Sequence, residues 1–142
     1  NNNNHHEIRT TINHLTENTK SYQLIKSVLE KNSNSVYQGK IFVNSDAQKT
    51  DGYQLSKAIL LNKDSEFNAK PELEIYADDV KCSHGSASGS LNEDSIFYLM
   101  SRGLNYQQSR ELLINGFLLD VVEKITDPEV KNLIKNMIGI KE

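Results

Sequence analysis

A single cysteine, Cys82, in 142 residues excludes an internal disulfide and fits a reducing compartment. No apolar run approaches the roughly 20 residues that a membrane-spanning helix needs. No basic stretch leads into an apolar one, so no secretory signal is expected and the default location is cytoplasmic. Positive charge is never concentrated: 16 Lys and Arg are scattered against 19 Asp and Glu, for a net charge of −3. Bulk nucleic-acid binding needs a dense basic surface to neutralise phosphates, so that class is excluded. No G-x-x-x-x-G-K-S/T loop occurs, so this chain is not expected to hydrolyse a nucleotide. What is present is ordinary for a soluble chain, 37% hydrophobic and 25% charged. The length suggests one domain or a little more.

The chain starts Asn1 to Asn4, then His5 and His6. Such a run has little to bury and reads as a polar flexible end. A histidine pair can also bind metal.

An internal repeat decides the architecture. Thr19 to Leu29 is T-K-S-Y-Q-L-I-K-S-V-L, and Thr50 to Leu60 is T-D-G-Y-Q-L-S-K-A-I-L. Thr19/Thr50, Tyr22/Tyr53, Gln23/Gln54, Leu24/Leu55, Lys26/Lys57 and Leu29/Leu60 coincide. The same offset would take Ile12 and Asn13 onto Val43 and Asn44, and Ile41 leads to Leu73 at nearly the same step. A fixed period of this size marks a stacked solenoid. Short stretches alternate apolar and polar, as at Ile41–Val43 and at Leu73, Ile75 and Ala77, which is the half-buried strand pattern. Residues 8 to about 90 therefore predict β-solenoid coils with several short strands each, and residues 1–90 a first domain. The first coil has no evident cap, so further coils or another subunit are expected to cover its edges.

From residue 91 the period becomes helical. Asn92 before Glu93 and Asp94 predicts a helix start, with Ile96, Phe97, Leu99 and Met100 as its buried stripe and Gly103 as its stop. Asn105 and Gln108 predict a capping box opening a second helix to about Lys124, with Leu112, Leu113, Phe117, Val121, Val122 and Ile125 at helical spacing. Asp127-Pro128 opens a third, with Val130, Leu133, Ile134, Met137 and Ile138 as its apolar face. Residues 91–142 are too few to bury all this surface alone. The stripes either pack as core or dock a partner, with Ile114 and Leu118 as partner contacts if exposed.

Polar chemistry concentrates in Asp78-Asp79-Val80-Lys81-Cys82-Ser83-His84-Gly85. In an extended chain Cys82 and His84 share a face. Three readings follow. The pair could be a Cys–His nucleophile oriented by Asp78 or Asp79, which would also need an oxyanion hole. It could ligate metal or an iron–sulfur cluster, but two ligands are half of a closed site, so others would come from another chain. Or Cys82 is a small core residue and His84 bonds a turn, leaving an inert structural module.

Three segments together resemble a known family: Ala47-Gln48-Lys49-Thr50-Asp51, the block Pro71 to Gly85, and Phe97-Tyr98-Leu99-Met100-Ser101-Arg102-Gly103-Leu104. The chain is similar to the SufB/SufD scaffold family of iron–sulfur cluster assembly, and the K-C-S-H-G form is that of its SufD branch. The resemblance implies a right-handed parallel β-helix followed by a small helical domain, matching the C-terminal part of a longer protein. It implies a non-enzymatic scaffold that pairs with SufB through the β-helix and binds the SufC ATPase through the C-terminal helices, with self-pairing where SufB is absent. It implies no permanent cofactor but a nascent iron–sulfur cluster at the SufB interface. There His84 would act as ligand or proton acceptor, with Cys82 beside it. The cytoplasm of a bacterium or a plastid-type organelle is the implied location.

Overall fold

A computed structural model of the chain describes residues 4–140. Six strands come first: β1 (His5–His14), β2 (Lys20–Leu29), β3 (Asn34–Val43), β4 (Asp51–Leu60), β5 (Glu66–Ile75) and β6 (Lys81–Gly89). Alternate strands pair, in the orders β1-β3-β5 and β2-β4-β6, and every pairing is parallel. The two sheets stay separate and form no closed barrel. This is the expected solenoid, with one correction. Each coil has two long strands rather than several short ones, because the connections between them are brief turns. The strands also begin earlier than expected. His5 and His6 lie in β1, opposite Asn34 and Ser35, and so are held in a parallel ladder rather than in a flexible end. Asn1 to Asn3 lie outside the described residues.

The repeat sets the register of one sheet and fails in the other. Tyr22 pairs with Tyr53, Gln23 with Gln54 and Leu29 with Leu60, as the repeat predicts, and the Tyr22 and Tyr53 rings stack at 5.6 Å. Ile12, however, pairs with Ile41 and Asn13 with Phe42, not with Val43 and Asn44. The turn at 44–50 is longer than the turn at 15–19, so one offset cannot hold in both sheets. The 32-residue step from Ile41 to Leu73 is observed.

Side chains at alternate positions point into the solenoid, as strand geometry requires. Every second residue of β3 from Ser35 to Val43 is buried. Ile41, Val43, Ala47 and Ala77 form the apolar core, with Leu73, Val80 and Cys82 packed against it. Full burial of Ile41 and Val43 contributes about 1.5–3 kcal/mol each.

The segment Ala47 to Asp51 is corner chemistry. Ala47 is fully buried. The Gln48 amide donates to Ser45 O at 2.9 Å and accepts from Asp79 N at 3.0 Å, tying one corner to the next coil. Lys49 turns the chain at φ 59°, as Asn18 does at φ 58° one coil earlier. The Thr50 hydroxyl donates to Ala47 O at 2.8 Å and lies 3.1 Å from that of Thr19.

A second compact unit begins at Ser90. It contains α1 (Glu93–Ser101), α2 (Tyr106–Val122) and α3 (Pro128–Met137). Asn92 caps α1, Asn105 and Gln108 form the capping box of α2, and Asp127 caps α3 ahead of Pro128. Gly103 follows α1 at φ 99°. The buried stripes are only partly as expected. Ile96 is buried, but Phe97, Met100, Leu112, Val130, Leu133, Met137 and Ile138 are exposed. Three short helices enclose too little volume to cover them. Ile114 and Leu118, expected as partner contacts only if exposed, are half-buried.

Candidate functional site

The parallel register stacks interior residues into columns running through the coils. One column is Ser21, Gly52 and Cys82; the next is Gln23, Gln54 and His84. Cys82 and His84 therefore both occupy interior positions of β6, as an extended segment requires. Their surroundings differ. Cys82 is half-buried and packs on the Ile41 cluster. His84 is exposed, because among the described residues β6 pairs only with β4 and leaves its other edge open.

The hydrogen bonding of the second column changes from coil to coil. In the first coil Thr10 donates to Gln23 Oε1 at 2.7 Å across the interior. In the second, Gln54 donates to Gly39 O at 3.2 Å and accepts from the Tyr37 hydroxyl at 3.4 Å. Gln54 is 1% exposed. In the third, no hydrogen bond or ion pair to His84 is found among the described residues.

Burial pushes the Cys82 thiol above its ordinary range, and Asp51 adds to the rise, while a bond to the Gly52 backbone opposes it. An activated nucleophile needs the opposite shift. In the folded chain, Cys82 is expected to react with iodoacetamide at neutral pH more slowly than in denaturant, because burial disfavours the thiolate that reacts. Mass-spectrometric alkylation rates check this, and fast partner-free reaction would favour the Cys–His enzyme. Asp78 and Asp79 are exposed corner residues, and Asp79 O accepts from Lys49 N at 2.6 Å. No bond joins either to His84.

Among the described residues, no three His, Cys, Asp or Glu side chains converge as a metal site. Cys82 and His84 thus offer two donors at most. A neutral imidazole on an open coil edge can ligate iron or accept a proton, and a cluster held there needs donors from a second chain.

Two interior residues escaped the sequence reading. His14 is enclosed at 3% exposure, with Nδ1 2.7 Å from Thr19 Oγ1 and Nε2 2.8 Å from Ser21 Oγ. The misplaced offset hid it, since the true register sets it opposite the buried Val43. Gln54 is the second: it matches Gln23 in the repeat, but the repeat's own step would carry it to Gly85, and the observed register sets it beside His84.

Residues 1–117 match the family described as SUF system FeS cluster assembly, SufBD core domain. The chain belongs to the SufBD family. Within that family, it is 38% identical over 133 residues to the iron–sulfur cluster assembly protein SufD of Escherichia coli, covering 94% of this chain and 31% of that protein. It is 40% identical over 119 residues to the chloroplastic protein ABCI7 of Arabidopsis thaliana, covering 83% of this chain and 25% of that protein. The Plasmodium falciparum protein named SufD is 31% identical over 113 residues, covering 79% of this chain and 8% of that protein. The chain spans about a third or less of the length of these SufBD relatives and matches the C-terminal part of the longer SufD proteins. The relatives named SufD are called assembly proteins. No helix of the described residues is long and apolar enough to cross a membrane.

Proposed function

We propose that this chain is a non-catalytic, SufD-type scaffold in iron–sulfur cluster assembly, with His84 facing a nascent cluster shared with a SufB-type partner. The observation that carries this reading is the combination at β6: an exposed, unbonded imidazole at an interior column position, on a strand with one open edge. Two donors on this side fit a site completed from across an interface. The cluster is cargo and not a resident cofactor. Cys82 lies beside His84 as a second, less available donor, its thiol held protonated by burial. The exposed apolar residues of the helical unit, among them Phe97, Leu133 and Met137, are where a SufC-type ATPase docks. Without SufB, the open coil edge lets the chain pair with a second copy. This reading sets the work in a bacterial cytoplasm or a plastid, supported by a bacterial relative and by one named chloroplastic.

The test is co-purification with SufB and SufC, wild type against His84→Ala, followed by anaerobic reconstitution read by visible absorbance. His84→Ala is expected to leave the complex intact and to lower cluster yield by about tenfold or more, the scale on which residues around a metal site act. An intact complex with full yield would reduce the chain to architecture.

A further inference from the structure

We propose that Pro71 is a positioning residue that keeps the His84 imidazole unengaged, by withholding from the third coil the side-chain hydroxyl that engages Gln23 in the first. This rests on the reading of His84 as the working group.

The two relevant columns face each other. Thr10, Gly39 and Pro71 form one, in register through β1, β3 and β5. Gln23, Gln54 and His84 form the other, through β2, β4 and β6. Their facing is fixed twice, by the bond from Thr10 to Gln23 and by the bond from Gln54 to Gly39 O. One coil further, the same columns set Pro71 across the interior from His84.

Each coil answers its polar side chain differently. Thr10 answers Gln23 with a hydroxyl. Gly39 answers Gln54 with a bare carbonyl, and Gly39 is required there. A Cβ at that position would collide with the Tyr37 hydroxyl and with Gln54 Oε1. Pro71 keeps a backbone carbonyl, as Gly39 does, but no bond from the His84 side chain to it is found among the described residues. It offers no side-chain hydroxyl, and its missing N–H is tolerated because β5 is an edge strand among the described residues. A hydroxyl would reach an imidazole in this interior. His14 shows it, with hydroxyl oxygens of Thr19 and Ser21 at 2.7 and 2.8 Å from its two ring nitrogens. Threonine at position 71 would therefore do to His84 what Thr10 does to Gln23. Below the ring, buried Gln54 is a fixed floor, its amide committed to Gly39 and Tyr37.

The chain's four histidines make the test internally controlled. Diethyl pyrocarbonate acylates free neutral imidazole nitrogens, and peptide mass spectrometry reads each ring separately. In the folded wild type, His84 is expected to react as fast as exposed His5 and His6, and His14 to be protected. Pro71→Thr is expected to slow His84 about fivefold, the factor that one ordinary hydrogen bond contributes. His5 and His6 keep their rates, and Pro71→Ala, which restores an N–H without a hydroxyl, leaves His84 fast. Pro71→Ser supplies the same hydroxyl with less bulk should threonine impair folding. A wild-type His84 as slow as His14 would overturn the proposal without any variant. So would an unchanged rate in a folded Pro71→Thr chain, or equal slowing by Pro71→Ala. Acylation is read on the full chain without partners, so it stands apart from assembly. Slowed acylation with undiminished cluster yield in the SufB–SufC complex would uphold the role of Pro71 and sink the assembly reading.

Discussion

Gly39→Ala is expected to lower the stability of the solenoid by about 2–4 kcal/mol, the scale of overpacking combined with broken buried bonds. The strand conformation at Gly39 is ordinary, so the cost comes from space. The new methyl would occupy the volume where the Tyr37 hydroxyl and the Gln54 amide fold over the backbone. Both are ends of side chains, which elsewhere could swing away. Here Tyr37 is 2% exposed and Gln54 1%, so neither has anywhere to go. Moving Gln54 breaks its bond to Gly39 O, and moving Tyr37 breaks its 3.1 Å link to Thr10. Gly89 provides the comparison, since a Cβ there meets nothing within 4 Å. Gly89→Ala is expected to change stability by less than about 0.5 kcal/mol, as open surface positions do. Urea midpoints at constant slope would decide the matter. Equal midpoints for the two variants would mean that the Gln54–Tyr37 lattice is loose, and His84 would then have no rigid floor.

The two sheets were not equally legible. In β2 and β4 the repeat carried the register residue by residue, because matching side chains stack on like partners in a parallel ladder. In β1 and β3 it misled, because the longer turn at 44–50 shifts the pairing by two positions, which keeps each side chain on its face but gives it a different partner. His14 was lost through that slip. The helix starts were legible from their caps, which are local chemistry. Burial of the helix stripes was not, since an apolar period shows which face seeks cover and not whether cover exists. Phe97 and Met137 have the right spacing and remain exposed. At the site, the shared interior face of Cys82 and His84 followed from alternation alone. The difference in their burial did not, because it depends on β6 being the last strand of its sheet. The partners of the Thr10 and Gln23 columns come from strands that are distant in sequence, so no local pattern could reveal them.

His14→Ala is expected to cost about 2–4 kcal/mol at neutral pH, the range for emptying an enclosed side-chain site and stranding its hydrogen-bond partners. The imidazole fills the interior beside Gly52: a Cβ at Gly52 would lie 3.6 Å from His14 Nε2 and 3.4 Å from Cys82 Sγ. The first-coil histidine thus helps close the space under Cys82. The deficit of the variant is also expected to depend on pH, with a determined sign. Burial lowers the His14 pKa from its ordinary value of 6.5 by penalising the charged ring. The unfolded chain takes up a proton near that ordinary value, and the folded chain resists it. Below about pH 6.5 the unfolded state binds more protons, so wild-type stability is full above that point and declines as acid is added. The decline stops once the pH passes the lowered folded value. Its slope from this one group cannot exceed about 1.4 kcal/mol per pH unit. His14→Ala lacks the group, so subtracting its pH profile from that of the wild type cancels every other titration. The gap between them should be widest at neutral pH and narrow as the pH falls. A gap that stays constant would mean that His14 is as easily charged when folded as when unfolded, which water reaching Thr19 and Ser21 through an open first coil would produce. A gap that widens in acid would require a counter-charge beside the ring, and the hydrogen-bond partners found there, Thr19 and Ser21, are both uncharged.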